Sequence, residues 1–328
     1  MSRNDIVLMG RELATEFSVR LECSHGWLES FMNRNDFVLR RRTNKPVHTN
    51  MEIASRGAAF VKHVRRIIET NDIRSENIFN LDETAIFIDS NEDVTVEIRG
   101  SSNVQIAATG FEKIRFTGLV AASASGRRLM PALIVKGPSV DIHPLSNHVQ
   151  LVNKVSWMNG ELFKRWIEYA FPVLFSSKTL LVFDSARSHL SRIVKDYLHS
   201  RGILFCVIPG GLTGLLQPAD VMWFKPLKSH LRDQIRQWIR EGPWERTRGG
   251  RIRPPSASQL AGWFADAWGS IGSADIVKSF EVTFLGPLTG LLISRSPEYG
   301  TDFTRLVEEI EPIQEELSGD SEVCEIDE

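Results

Sequence analysis

The 328-residue chain lacks any apolar run approaching the roughly 20 residues that a membrane span requires, so no membrane association is expected. Its first residues, "MSRNDIVLMGRELATEF", are charged and carry no long apolar stretch ahead of a small-residue cleavage site, so no secretory leader is read there. Cysteine is scarce. Cys23, Cys206 and Cys324 are odd in number and far apart, which argues against a disulfide framework and a cysteine-rich zinc site and fits a reducing, intracellular setting. Internal repeats and low-complexity tracts are missing as well. What is present is a globular composition, 42% hydrophobic and 24% charged, in a length that suits two ordinary domains or one large α/β domain with attachments.

The small net charge, −2, conceals an uneven distribution. Residues 1–66 carry 12 Lys+Arg against 7 Asp+Glu, residues 225–253 carry 9 against 3, and residues 301–328 carry 1 against 11. Two basic segments are the electrostatic footprint expected of a nucleic-acid binder, although solvated basic faces look the same in composition. The acidic end from about 300 reads as a mobile tail rather than a packed element.

Periodicity predicts helices in the first 34 residues. Ile6, Leu8, Met9, Leu13 and Phe17 fall near helical spacing, and Ser24 is a candidate N-cap ahead of Trp27, Leu28 and Phe31. Two short helices joined by a turn fit a helix-turn-helix, and "VLRRRTNKP" behind them places Arg40, Arg41, Arg42 and Lys45 where phosphates would lie. A small helical cap with a basic loop fits the same pattern. "IASRGAAFVKHVRRIIETN" predicts an amphipathic helix linking this part to the next.

From residue 78 the pattern changes to short strands: "IFNLDETAIFID", "IRFTGLVAASASG", "RLMPALIVKG", "LLVFD" and "ILFCVIPG". The helical segments "GELFKRWIEYAFPVLF" and "SRIVKDYLHSRG" alternate with the last two, so a mixed sheet with helices on its faces is expected. After Pro218 the chain reads as helical again, with Pro226 marking a kink or a fresh start. There Arg232, Arg236 and Arg240 share one face and Leu231, Ile235 and Ile239 another. "EGPWERTRGGRIRPPSAS" reads as an exposed loop, and Trp263, Phe264 and Trp268 in the last predicted helix read as core aromatics.

Three carboxylates stand in apolar surroundings: Asp82 in "NLDETAIFID", Asp184 at the end of "TLLVFD", and Asp220 in "LLQPADVMWF". Taken singly, each reads as a helix cap or a strand-end turn residue. Buried carboxylates are costly unless paired, hydrogen-bonded or bound to a cation, and a few carboxylate oxygens with water and phosphate suit Mg²⁺. Two such ions can cleave a phosphodiester.

Together, the three segments resemble the catalytic domain of pogo-like transposases in the mariner superfamily, DDE endonucleases with a ribonuclease H-like fold. "NLDETAIFID" resembles the first family motif, "LLVFDSARSHLS" the second, and "VIPGGLTGLLQPADVMWFKPLK" the third; 35 residues lie between Asp184 and Asp220, similar to the pogo spacing. Ser185 departs from the more usual Asn or Gly, and "GGLTGLLQP" from the polar residues the family prefers there. Neither change removes a carboxylate. The likeness covers about residues 75–300. "SHGWLESFMNRNDFVLRRRTN" resembles the end of a centromere protein B-type DNA-binding region, a tandem of two helical units in the family. Only the second is matched, which leaves sequence-specific binding of transposon ends unsupplied.

The resemblance implies an α/β, ribonuclease H-like mixed sheet flanked by helices, with a small N-terminal helical (helix-turn-helix) part. It divides the chain into residues 1–50 for DNA binding, a helical linker at 51–74, a catalytic domain at 75–300 and the acidic tail at 301–328. It implies catalytic and metal-binding roles for Asp82, Asp184 and Asp220 with two Mg²⁺ (or Mn²⁺), double-stranded DNA as partner, and a nuclear location; the residues leave a homodimer open and point to no small-molecule cofactor. Glu83 faces away from Asp82 if the strand continues, and supports the site from behind. His189 hydrogen-bonds a phosphate, orients Asp184, or is a helix-start histidine with a local partner. The candidate DNA contacts are Trp27, Arg34, Arg40, Arg41, Arg42, Lys45, Lys225, Lys228, Arg232 and Arg236, with solvated lysines the alternative at 225 and 228. A non-catalytic, domesticated or truncated nuclear DNA-binding descendant fits the same residues, and a nuclease acting on RNA or hybrids fits less well.

Overall fold

The computed structural model describes residues 3–37, 48–88, 115–155, 157–171, 178–242, 245–246, 248 and 253–309. Two compact units divide the chain, Met1–Val47 and His48–Glu328. The first contains helices α1 (Arg3–Glu16) and α2 (His25–Arg34). Ser24 caps α2, its hydroxyl accepting from the Trp27 amide at 3.3 Å, as the sequence predicts. Trp27 stacks on Phe31 at 5.3 Å, and Leu28 and Met32 are buried beside them.

The second unit opens with α3 (Asn50–Thr70), started by a reciprocal capping box between Thr49 and Glu52. The helix read as a link is built into this unit. Its buried face, with Phe60, Val61 and Val64, joins the core beneath the sheet.

Seven strands form the sheet: β1 (Ile78–Phe87), β2 (Arg115–Ser123), β3 (Ala132–Lys136), β4 (Asp141–Pro144), β5 (Val149–Asn153), β6 (Leu180–Asp184) and β7 (Leu204–Ile208). Their order is β4-β5-β3-β2-β1-β6-β7. β1 pairs antiparallel with β2 and parallel with β6, and β6 pairs parallel with β7, so the sheet is mixed as expected. Sequence reading finds five of these strands. β4 and β5 escape it because "DIHP" is a short polar edge and "VQLVN" is too brief to establish a period, although Val149 and Leu151 are fully buried.

Alternation along the strands sends side chains to two cores. Phe79, Leu81, Leu181 and Phe183 pack under α4 (Gly160–Ala170) and α5 (Arg192–Ser200), against Phe163, Trp166, Val194 and Leu198. Ile78, Val120, Leu180 and Val182 face the opposite side, against α3, α7 (Phe224–Glu241) and α8 (Ala257–Gly269). Here α6 is the short turn Thr213–Leu216, and α9 spans Ser273–Phe280. Helix α7 docks through Leu231 and Ile235, while Arg232 is exposed. Pro226 lies in its first turn, directly after the π-helical turn Ala219–Trp223, so neither a break nor a fresh start but a π turn marks the irregularity there. Phe264 and Trp268 are core residues as expected, and Trp263 packs on Trp238 with ring centroids 6.1 Å apart.

The acidic end needs a correction. Residues Gly300–Glu308 form helix α10, and Phe303 is fully buried in the core with Leu306 and Val307 packed against it. Their i, i+3, i+4 spacing gives an apolar stripe that the regional charge count hides. Residues 310–328 lie outside the described residues.

Candidate active site

β1 and β6 run side by side with Asn80 opposite Val182, and the same register carried two residues further sets Asp82 level with Asp184. Both residues share parity with the side of the sheet that α7 covers. Asp220 arrives from that side. It lies in a π-helical turn, Ala219–Trp223, that feeds directly into α7. The first two carboxylates therefore stand on neighbouring strands and the third on a helix.

The three are treated very differently by their surroundings. Asp82 is 7% exposed, and its Oδ1 accepts from the Glu83 amide at 2.7 Å. Burial first, then the charges of Asp184 and Asp220, push its carboxyl up to about 8 against the opposing hydrogen bonds of Gln217 and the Glu83 amide. Asp220 is also raised, mainly by loss of water, with the Thr213 hydrogen bond and the Lys228 charge holding it back. Asp184 goes the other way. Burial would raise it, but hydrogen bonding and charge from His189 and the Ala186 amide keep it below the usual carboxylate range.

His189 explains that contrast. It is 1% exposed, with its ring against Phe163 and Phe183 at centroid distances of 4.3 and 5.5 Å. Its Nδ1 meets Asp184 Oδ1 at 2.7 Å, and its Nε2 meets Glu83 Oε1 at 3.2 Å. Burial alone would depress the imidazole; the hydrogen bonds and charges of Asp184 and Glu83 outweigh it and carry His189 up to about 9. Both ring nitrogens are occupied and none faces solvent, which leaves none for a phosphate; the bond to Asp184 fits both an orienting role and a histidine with a local partner. Glu83 lies on the opposite face of β1 from Asp82 and reaches His189 from behind.

A divalent cation fits the donor set. Asp82 is hard to ionise because two like charges converge on a desolvated carboxyl, and a hard cation with oxygen ligands removes that penalty. Among the described residues no three His, Cys, Asp or Glu side chains are already closed into a metal-binding group.

The basic candidates fall into separate places. Lys225, Lys228, Arg232 and Arg236 all lie on α7, directly behind Asp220. Lys228 is half-buried, with its Nζ 5.4 Å from the Phe224 ring centroid. Burial lowers its pKa, with the charges of Asp220 and Asp82 opposing that shift. Arg236 pairs with Asp233 at 3.4 Å. In the first unit Arg34 is exposed on the last turn of α2, whereas Trp27 is half-buried against Gly10 and Phe31. Arg40, Arg41, Arg42 and Lys45 lie outside the described residues. Sequence reading assigned no role to Asn80 and Gln217, which stand inside the first and third motifs and are fully buried. A buried amide in each of two motif segments was the available signal.

Residues 113–280 match the model of the DDE superfamily endonuclease family. The chain is 27% identical over 288 residues to the mouse protein "Pogo transposable element with KRAB domain", a stretch covering 85% of this chain and 47% of that protein. The human protein of the same name is 27% identical over 289 residues, covering 86% and 48%. The chain thus spans about half the length of the curated relatives it matches. Among solved structures, the Mos1 transposase paired-end complex with left transposon end superposes with a TM-score of 0.52 at 13% identity, covering 90% of this chain and 72% of that one. The Mos1 mariner paired-end complex with Mn gives 0.51 at 12%, with the same coverage. At this identity the likeness concerns the fold, a ribonuclease H-like sheet flanked by helices.

Proposed function

The chain belongs to the DDE superfamily endonucleases, among the pogo-like transposases, and from that premise we propose that it is a metal-dependent DNA endonuclease and strand transferase. The observation that carries this reading is the placement of Asp82 and Asp184 on neighbouring parallel strands, with Asp220 at the start of the helix that covers the same side of the sheet. In this reading Asp82, Asp184 and Asp220 hold two Mg²⁺ or Mn²⁺ ions. When bound, the ions supply an activated water or 3′-hydroxyl and stabilise the departing 3′-oxygen. The solved Mos1 complexes described as containing Mn or Mg support the choice of metal.

The chain's own groups do the positioning. Asp82 gives up its proton to become a ligand, and the burial that makes this costly also fixes the carboxyl rigidly. His189, braced by Glu83, holds Asp184 ionised with one oxygen turned inward, leaving the other for a ligand. Lys225, Lys228, Arg232 and Arg236 form the bed for backbone phosphates beside Asp220. The first unit, with Arg34 and the basic residues after it, grips double-stranded DNA as a centromere protein B-type helix-turn-helix part, so residues 1–50 bind and residues 75–300 cut. Two copies act together in this reading, which the description of the structural relative as a paired-end complex supports. The location is the nucleus, which imaging of a tagged chain checks.

The test is calorimetric titration of Mn²⁺, with and without a duplex, into the wild type and Asp184→Ala, followed by nicking of a supercoiled plasmid. Binding and nicking that both disappear in Asp184→Ala are expected. Nicking that persists in Asp184→Ala sinks the mechanism. A second reading, a non-catalytic DNA-binding descendant, rests on the lack, among the described residues, of a ready grouping of three metal-ligating side chains. It predicts duplex binding with no Mn²⁺ uptake in either protein.

A further inference from the structure

The three carboxylates sit on segments far apart in sequence, so contacts between those segments set their spacing. One residue touches all three. Asn80 is two residues before Asp82 on the same face of β1, and it is fully buried. Its Nδ2 donates to the Val182 carbonyl at 2.8 Å, and Val182 is two residues before Asp184 on β6. The same Nδ2 donates to Gln217 Oε1 at 2.8 Å, three residues before Asp220. Its Oδ1 lies 3.4 Å from the Ala219 amide, one residue before Asp220. Gln217, also fully buried, returns to the first strand by donating Nε2 to the Leu81 carbonyl at 3.1 Å.

We propose that Asn80 and Gln217 form an amide latch that fixes the spacing of Asp82, Asp184 and Asp220, acting as positioning residues for the metal site. The proposal rests on the metal-dependent reading given above. An amide pair suits this task better than an ion pair or an apolar contact. It carries no net charge, so it adds no further like charge beside Asp82. Each amide presents a donor and an acceptor at once, so two side chains serve three segments. Because an unpaired buried amide is costly, the latch tolerates only one registration of the third motif on β1 and β6. Pro218, between Gln217 and Ala219, limits the backbone freedom of the same turn.

The experiment uses Asn80→Leu, Gln217→Met and the double variant in the full chain, with Thr283→Val as a control. Thr283 is equally buried and hydrogen-bonded, but its hydroxyl donates to the Ser279 and Phe280 carbonyls, at 2.7 and 3.2 Å, both outside the three motif segments. Urea midpoint, Mn²⁺ affinity, and kcat and KM for duplex nicking are measured on each. Both single latch variants are expected to lose Mn²⁺ affinity and kcat by about 10- to 100-fold with KM for the duplex unchanged. The double variant is expected to be no worse than the weaker single, because both substitutions open one set of bonds. Thr283→Val should lower the urea midpoint while keeping wild-type Mn²⁺ affinity. If Asn80→Leu does not fold, Gln217→Met, which leaves Asn80 its bond to Val182, decides the matter. Latch variants that bind Mn²⁺ and nick like Thr283→Val overturn the latch while leaving the metal site standing. Wild-type protein that neither binds Mn²⁺ nor nicks, with duplex present, overturns the metal reading and the latch's role together.

Discussion

The two sides of the central sheet bury charge in opposite ways. On the α4 and α5 side, His189 is enclosed by Phe163 and Phe183 yet bonded to two carboxylates, so its charge is matched where it sits. On the α7 side, Asp82 is enclosed to a similar degree, but the nearest charges include two of its own sign. Depth is similar; the sign of the neighbours differs. A matched buried charge is a structural brace, whereas an unmatched one marks where an external cation belongs.

The largest effect should come from removing the brace. His189→Leu strips both Glu83 and Asp184 of their partner and is expected to destabilise the fold by about 3–5 kcal/mol in urea unfolding, toward the lower end because both carboxylates retain some water. A loss under about 1 kcal/mol would show that the match is not what makes this burial tolerable. Asp82→Asn should do the reverse on the other side: at pH 8, without metal, it should stabilise the protein by roughly 2 kcal/mol while abolishing Mn²⁺ binding. Stability that falls in this variant would mean that the Asp82 charge is matched after all.

pH should separate the two sides further. Asp82 keeps its proton to about 8 in the folded chain but releases it near 3.8 when unfolded, so its contribution makes metal-free stability fall as pH rises from about 4 to about 8, by at most about 1.4 kcal/mol per pH unit. The His189 contribution is complete below its unfolded value of 6.5 and fades as pH rises through about 9. Saturating Mn²⁺ should cancel the first slope, since the bound ion requires Asp82 ionised, and leave the second. Thermal melts across pH 4–10 of the wild type, Asp82→Asn and His189→Leu resolve the two. The smallest effect belongs to the surface of the braced side. The Lys164–Glu168 pair of α4, at 2.9 Å, is solvated, and Lys164→Ala should change stability by no more than about 0.5 kcal/mol.

Much of the fold was legible because its signals are local. The Ser24 cap, the strand that carries Asp82 and the two-faced helix α7 each announce themselves within a dozen residues. Regional averages misled in one place: eleven acidic residues after position 300 conceal the stripe of Phe303, Leu306 and Val307 that binds α10 to α3. Short elements misled in another, since β4 and β5 are too brief to show a period. In the candidate site the three aspartates could be picked out from their apolar surroundings and motif spacing. The partners of His189 could not: Glu83 is 106 positions away, and at short range only Asp184 is in view.

By itself, then, the sequence determined where helices and strands begin, which face of each is apolar, and which three carboxylates stand in costly surroundings. All of these depend on neighbours along the chain, and periodicity records such neighbours. Tertiary structure alone decided that β1 lies between β2 and β6, that His189 answers both Asp184 and Glu83, and that Asn80 meets Gln217 across 137 positions. The electrostatics followed from that assembly. A carboxyl or an imidazole acquires its character from the charges and hydrogen bonds within a few ångströms and from the water it loses, and those are fixed only when distant segments of the chain come together.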